Sequence, residues 1–243
     1  MTSLIRQFNY FRRHNRKRLK RNLIWLSRIV AILILLDAIY IFSLWPDWSQ
    51  YSTGEVKKTE FINHYLAKKQ QQPSLPKLHW TPIPIAWIPK HLQRAVLVAE
   101  DARFYEHQGI DVEAFKEAMD YNLEHMKFKY GGSTISQQTI KNMFLSSSRN
   151  PLRKWHELIL TFGMEMSLNK KRILEIYLNV AEFGKGVYGI EAAAKHYWGI
   201  SAISLSRYQS AQLAATLPSP IKHNPQTQTK RFNKKVRRIL RLL

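Results

Sequence analysis

Two glutamates in unlike settings, with hydroxyls, amides and cations between them, are the residues of this chain best suited to chemistry. Glu100 follows the apolar run Ala95 to Ala99 and precedes Asp101 in the stretch AEDARFYEHQGID, residues 99–111. A carboxylate at the end of a buried segment is partly desolvated, which raises its pKa and suits it to general acid or base work. A helix-end cap or an ion pair would use the same residue type. His107 stands too far from Glu100 for the paired ligands of a helical metal motif, and it reads as a structural imidazole.

The second stretch is GGSTISQQTIKNMF, residues 131–144. Two glycines and a run of hydroxyls make a permissive loop entering a helix, which Ser133 could cap, and a helix start presents free N–H groups to an anion. Helical spacing puts Gln137 and Lys141 on one face, with Gln138 and Asn142 in the same turn. Such a row of polar groups suits a sugar diphosphate, although polar helix surfaces are common. In the third stretch Arg149, Arg153 and Lys154 precede Glu157, which is followed at once by Leu158, Ile159 and Leu160. Cations lower a carboxylate's pKa while an apolar setting raises it, and two carboxylates with opposed environments are the pattern of divided acid and base roles in glycosyl chemistry. The spacing of 57 positions from Glu100 to Glu157 does not by itself bring the two together.

These residues need a scaffold, and the apolar pattern supplies a mainly α one. Val112, Phe115, Met119 and Leu123 recur at helical spacing, as do Ile173, Tyr177 and Val180; a further helix is expected from Leu205 to Leu217, stopped by Pro218. No repeated alternation of period two appears. Six prolines between Pro46 and Pro89 predict a stalk and an extended approach over 73–89, after a short helix at Glu60 to Lys69. Lys230 to Leu243 carries seven basic residues and predicts a basic amphipathic helix, either touching anionic headgroups or packed on the domain with a solvated basic face.

At the other end, residues 1–22 hold eight Lys or Arg and no acid, and run directly into the apolar segment Leu23 to Trp45. That is the positive-inside pattern. The segment is long enough to cross a bilayer and lacks a small-residue cleavage signal, so it reads as an uncleaved signal anchor with the rest of the chain outside the cytoplasm. Asp37 lies deep in it and would need a helix partner or a proton. The expected division is 1–22 cytoplasmic tail, 23–45 transmembrane anchor, 46–89 stalk and domain edge, and 90–243 catalytic domain.

Composition narrows the chemistry. The chain has 38 Lys and Arg against 17 Asp and Glu, a formal charge of +21, which calls for an anionic partner. Without cysteine there is no disulfide, thiolate metal site or Cys nucleophile. The anchor argues against nucleic acid as that partner.

Taken in order, the stretches resemble four signatures of the family 51 glycosyltransferases: EDxxFxxHxGxD from Glu100 to Asp111, GxSTITQQxxKNxF from Gly131 to Phe144, RKxxE from Arg153 to Glu157, and KxxILExYLNxxxFGxG continuing to Gly199 from Lys170. Together they cover about 100 residues, and Pro218, Pro220, Asn224 and Pro225 extend the match. The resemblance implies a lysozyme-like, mainly α domain with a mobile jaw near the membrane, polymerising lipid II into glycan strands. It assigns Glu100 as the base for the acceptor 4-hydroxyl and Glu157 to departure of the polyprenyl diphosphate. Asp101, Phe104 and His107 would support the first glutamate; Ser133, Gln137, Lys141, Asn142, Arg149 and Arg153 would surround the donor sugars and diphosphate.

No cofactor and no protein-bound metal are required, though a divalent metal (Mg or Mn) could assist the diphosphate. The expected partners are lipid II, the growing strand, the membrane and other cell-wall synthesis or division proteins, in the bacterial inner membrane with the catalytic domain in the periplasm. Two departures stand out: Ser136 replaces the usual Thr, and Gln209 stands where Glu is usual, for which a structural effect is expected. The stretch Ser219 to Lys222 fits SxxK by coincidence, and no KTG follows, so a transpeptidase domain is not expected. The same carboxylates could serve a glycan-cleaving enzyme, and a non-catalytic recruiting protein of the envelope is the alternative from another class.

Overall fold

The computed structural model describes residues 2–126, 132–146, 148 and 150–243, with the backbone alone for 2–17. Two compact units divide the chain, one up to Pro46 and one from Asp47 to Leu243. The first is a single helix, α1 (Thr2–Ser43), continuous through the basic and the apolar segments alike. Neither Gly nor Pro interrupts it, and Arg, Lys and Leu are good helix formers. Its stretch Arg18–Ser43 is long and apolar enough to cross a membrane, with a mean hydropathy of 2.2 in its most apolar window.

The second unit is mainly helical: α2 (Ser49–Ser52), α3 (Glu60–Gln71), α4 (Lys90–Glu100), α5 (Val112–Glu124), α6 (Ile135–Phe144), α7 (Pro151–Ser167), α8 (Lys170–Val180), α9 (Ile190–Trp198), α10 (Arg207–Thr216) and α11 (Lys230–Leu240). The core gathers around α8, where Ile173, Leu174, Ile176, Tyr177, Leu178 and Val180 are all buried, with α6 and α9 packed beside it. Trp48, Val56, Ile83 and Ile85 join that core, so the segment 46–89 is part of the folded unit as well as an approach to it.

A small sheet that no alternation in the sequence marks has the order β1 (His79–Trp80), β3 (Val187–Tyr188), β2 (Glu182–Gly184). β1 runs parallel to β3, and β2 antiparallel with an irregular register. Strands of two or three residues are too short to carry a period of two. The β1 segment is tied to α8 by Asn179: its side chain accepts from Ile83 N at 2.8 Å and donates to Ile83 O at 2.9 Å, while its carbonyl accepts from Trp80 Nε1 at 2.9 Å. Gly189 starts α9 at φ +80°, where a Cβ would stand 2.7 Å from the Asn179 carbonyl oxygen, so only glycine fits.

α5 is a helix as the spacing predicts, yet the residues that define it are not core. Val112, Phe115, Met119 and Leu123 are all exposed, and Leu123 keeps 67% of its surface. α7 carries a second exposed apolar row, Leu152, Trp155, Phe162 and Met166, on the helix that also bears Glu157. α11 packs on α10 and α4 through buried Phe232, Val236 and Ile239, so the inner face of the C-terminal segment belongs to the folded unit.

Candidate active site

Glu100 is the last residue of α4, and the chain turns sharply after it. Asp101 makes that turn rigid: its Oδ1 accepts from His107 Nε2 at 2.9 Å and its Oδ2 from the backbone N of Ile135 at 2.9 Å, pinning the start of α6. The Gly109 N–H donates to His107 Nδ1 at 3.2 Å, which leaves the proton of a neutral imidazole on Nε2, facing Asp101. Phe104 is buried at 1% exposure with the Lys170 ammonium 4.5 Å from its ring centroid. Asp101 and Phe104 are buried beside Glu100, and the His107 ring is mostly covered where it meets Asp101. Arg103 grips both oxygens of Asp111 at 2.9 and 2.7 Å, closing the loop that Asp111 ends by capping α5. That clamp holds the Asp111 carboxyl below its ordinary range.

The first glutamate is not in the apolar setting expected of it. Its Oε1 lies 3.1 Å from Lys235 Nζ of α11, and its Oε2 accepts from Gln138 Nε2 at 3.1 Å. Tyr177, fully buried in α8, donates to Gln138 Oε1 at 3.1 Å and so fixes which end of the amide faces Glu100. The hydrophobic run before Glu100 is core, but the carboxylate itself emerges from it into an ion pair.

Glu157, in contrast, sits as expected among cations. Its side chain is 2% exposed, with Arg153 Nη1 2.6 Å from Oε2 and Lys154 Nζ 2.5 Å from Oε1. Lys154 also donates to Ser133 Oγ at 3.1 Å, joining Glu157 to the loop before α6. Arg153 keeps its Nε without an acceptor among the described residues. The two carboxylates are thus both ion-paired, and the contrast of environments expected from the sequence is absent.

α6 is the element that brings the two sides together. Its cap is Thr134, not Ser133: Thr134 and Gln137 form a reciprocal capping box, with Gln137 Oε1 accepting from Thr134 N at 3.0 Å. Gln137, 3% exposed, is thereby spent on the helix start, and Asn142 is buried as well. Ser136 donates its hydroxyl to Glu165 Oε1, which also takes Lys170 Nζ at 2.7 Å, so the serine keeps the function a threonine hydroxyl would have. Lys141 lies one turn further. Burial pulls its ammonium below the usual lysine range, and it feels the charges of both Glu157 and Glu100, with Arg153 and Lys154 opposing. Arg149 lies outside the described residues.

A third carboxylate, Glu182 of β2, was not apparent from the sequence. It forms no hydrogen bond or ion pair among the described residues, faces the Lys141 charge, and is pushed by burial to a pKa of about 7. Around it stand Tyr65, Tyr188 and Tyr197, each held above the ordinary tyrosine range by burial and by the charge of Glu182. The transglycosylase family profile matches residues 68–243 of the chain. The chain belongs to the transglycosylase family.

Among similar proteins, the biosynthetic peptidoglycan transglycosylase of Janthinobacterium sp. (strain Marseille) is 42% identical over 204 residues, 84% of this chain and 87% of the relative. Those of Nitrosospira multiformis, 42% identical, and Bordetella avium, 39% identical, cover 89% of this chain and 94% and 93% of their own lengths. This transglycosylase is therefore an enzyme of glycosyl transfer with the mainly α, lysozyme-like fold of its family. Within that family's last signature, Gln209 closes a capping box with Ser206, its Oε1 accepting from Ser206 N at 2.8 Å. Gln serves that role as well as Glu, so its place is structural.

The carboxylates of this site make a poor set of metal ligands. Glu100 and Glu157 have all four carboxylate oxygens in hydrogen bonds or ion pairs, leaving Glu182 as the one open carboxylate among them, which is no ligand set. Asp101, His107 and Asp111 cluster within 4.8 Å, but each is already committed to its neighbours as described. These residues do not fit a resident divalent metal.

Proposed function

We propose that this transglycosylase polymerises lipid II into peptidoglycan strands, with Glu100 as the base for the acceptor 4-hydroxyl and the Glu157 group assisting departure of the polyprenyl diphosphate. The observation that carries the proposal is that α6 and its approach loop join the two glutamates: Gln138 Nε2 donates to Glu100 at 3.1 Å, and Lys154, paired with Glu157, donates to Ser133 Oγ at 3.1 Å. Catalysis in such a transfer rests on placing a base at the nucleophile and fixed positive charge where negative charge develops.

In this reading Gln138, oriented by Tyr177, and Lys235 hold Glu100 toward the acceptor. Its carboxylate takes the 4-hydroxyl proton as that oxygen attacks the donor's anomeric carbon. The bond to the diphosphate oxygen breaks with its electron pair, and Lys141, Arg153 and Lys154 offset the charge arriving there. The diphosphate leaves as an anion, which a cluster of three cations suits. A neutral sugar leaving group, as in glycan cleavage, would have no use for them.

The anchor gives the reaction its place. Eight basic residues ahead of the apolar span support an N-terminus in the cytoplasm and a catalytic unit in the periplasm of the bacterial inner membrane. The exposed apolar rows of α5 and α7 fit contact with lipid, where a polyprenyl chain resides. Other cell-wall synthesis or division proteins are proposed partners, and Asp37 in the span is a candidate contact. The test is detergent-solubilised full chain incubated with labelled lipid II, beside Glu100→Gln. Lysozyme-sensitive polymer from the wild type alone is expected. No polymer from folded wild-type protein, with or without added Mg or Mn, would overturn the proposal in favour of a recruiting protein.

A further inference from the structure

α11 has two faces of different use. Phe232, Val236 and Ile239 are buried against the domain and Lys235 reaches Glu100, which accounts for the inner face. Lys230, Arg231, Lys234, Arg237, Arg238 and Arg241 are exposed, and none has an acidic partner among the described residues. No Asp or Glu occurs anywhere after Glu191.

The outer cations do not serve the helix. Lys230 and Lys234, Lys234 and Arg238, and Arg237 and Arg241 are like charges four residues apart, an arrangement that weakens a helix. Lys230 and Arg231 also lie in its first turn, at the end of the dipole that disfavours cations. A row of unpaired positive charge retained at a cost to local stability has its use outside the chain. The linking chain between α1, ending at Ser43, and the folded unit, starting at Asp47, is only Leu44 to Pro46. A bilayer that holds α1 therefore keeps its headgroups within short covalent reach of the folded unit.

We infer that the outer face of α11 is a docking surface for the anionic phospholipid headgroups of the membrane that holds α1. Attraction of this kind acts within about a Debye length, ~10 Å at 0.1 M salt, and is lost as salt rises. The inference goes beyond the catalytic proposal and does not depend on Glu100 or Glu157.

The chain has no cysteine, so Leu242→Cys supplies a single labelling site at an exposed position just past α11. Full-length Leu242→Cys carrying a fluorophore would be reconstituted in vesicles of phosphatidylcholine alone, or with one third phosphatidylglycerol, each containing the same nitroxide-headgroup lipid. Quenching roughly twofold greater in the anionic vesicles is expected, falling to the neutral level in 0.5 M salt. The same fall is expected in a variant with Lys234→Gln, Arg237→Gln, Arg238→Gln and Arg241→Gln, in which Lys235 and the buried face are intact. A melting temperature equal to that of the parent would show that the variant is folded. Equal quenching in both vesicle types, or quenching unchanged by salt and by the variant, would overturn the inference. So would loss of quenching to inorganic diphosphate at an ionic strength where sodium chloride has no effect, since that result marks a discrete phosphate site.

Discussion

The Lys235 ammonium lies 3.1 Å from Oε1 of Glu100, across 135 positions of sequence. The last helix of the chain thereby supplies the counter-charge of the proposed catalytic base, while Phe232 and Val236 on either side of Lys235 are locked in the core. Replacing Lys235 by Met should lower kcat about 10–100-fold with little change in KM, because the lysine orients Glu100 without belonging to the diphosphate group. Lys235→Arg should recover most of the rate. Steady-state kinetics on lipid II distinguish this from a merely structural role, which would move the melting temperature and spare the rate of the folded fraction.

Glu100→Gln should reduce polymerisation by roughly 10²–10⁴-fold, the range for loss of a general base, with the fold intact because an amide can still meet Gln138. Glu157→Gln should also cripple the reaction, and it leaves Arg153 and Lys154 facing a neutral group in a site 2% exposed. A loss of stability of about 1–2 kcal/mol is expected for that variant alone, read as a lower unfolding midpoint.

The fold class and the two glutamates were legible because local patterns carry them. Helical spacing marked α5, α8 and α10, and the polar stretches stood out inside apolar sequence. What stayed hidden depends on distant pairing: Lys235 looked like one of seven basic residues at the terminus, and Glu182 lies in a strand too short to show in the sequence, whose neighbour Tyr188 is defined only by the sheet. Periodicity also misplaced the apolar residues of α5, since spacing reports a helix and its stripe but not whether another element covers it. The supposed cap Ser133 was one residue off because Thr134 and Gln137 satisfy each other reciprocally, a geometry that either hydroxyl could have begun.

Asp111 gives the acid limb of stability. Its carboxyl is held below its ordinary value of 3.8, chiefly by Arg103, so the stabilisation is present above that value and is lost as pH falls through the lower, folded-state value. Asp111→Asn keeps an acceptor for the α5 cap and removes the ion pair, and it should flatten the decline of the melting temperature below pH 4. Asp111→Ala removes the cap as well and should cost about 1 kcal/mol more. Equal behaviour of the two variants would show that the cap contributes nothing.

Glu182 should act in a different pH window and with the opposite sign. Burial raises it from 4.5 to about 7, so between these values the folded state holds a proton that the unfolded state has lost. Stability contributed by that proton is complete below about 4.5 and disappears as pH rises through about 7. After allowance for partial solvent screening the difference is on the order of 1–2 kcal/mol, a few degrees in melting temperature for a unit of this size. Thermal melts of the detergent-solubilised chain should therefore show stability falling from pH 5 to pH 8, and Glu182→Gln, which stays neutral throughout, should abolish that fall. Because Glu182 faces Lys141, the same variant also reports on the reaction: if an ionised Glu182 opposes the diphosphate, Glu182→Gln should retain its rate above pH 7 where the wild type declines. A wild-type melting temperature that does not vary over this range would place Glu182 in water, and the cluster of tyrosines around it would then be ordinary packing.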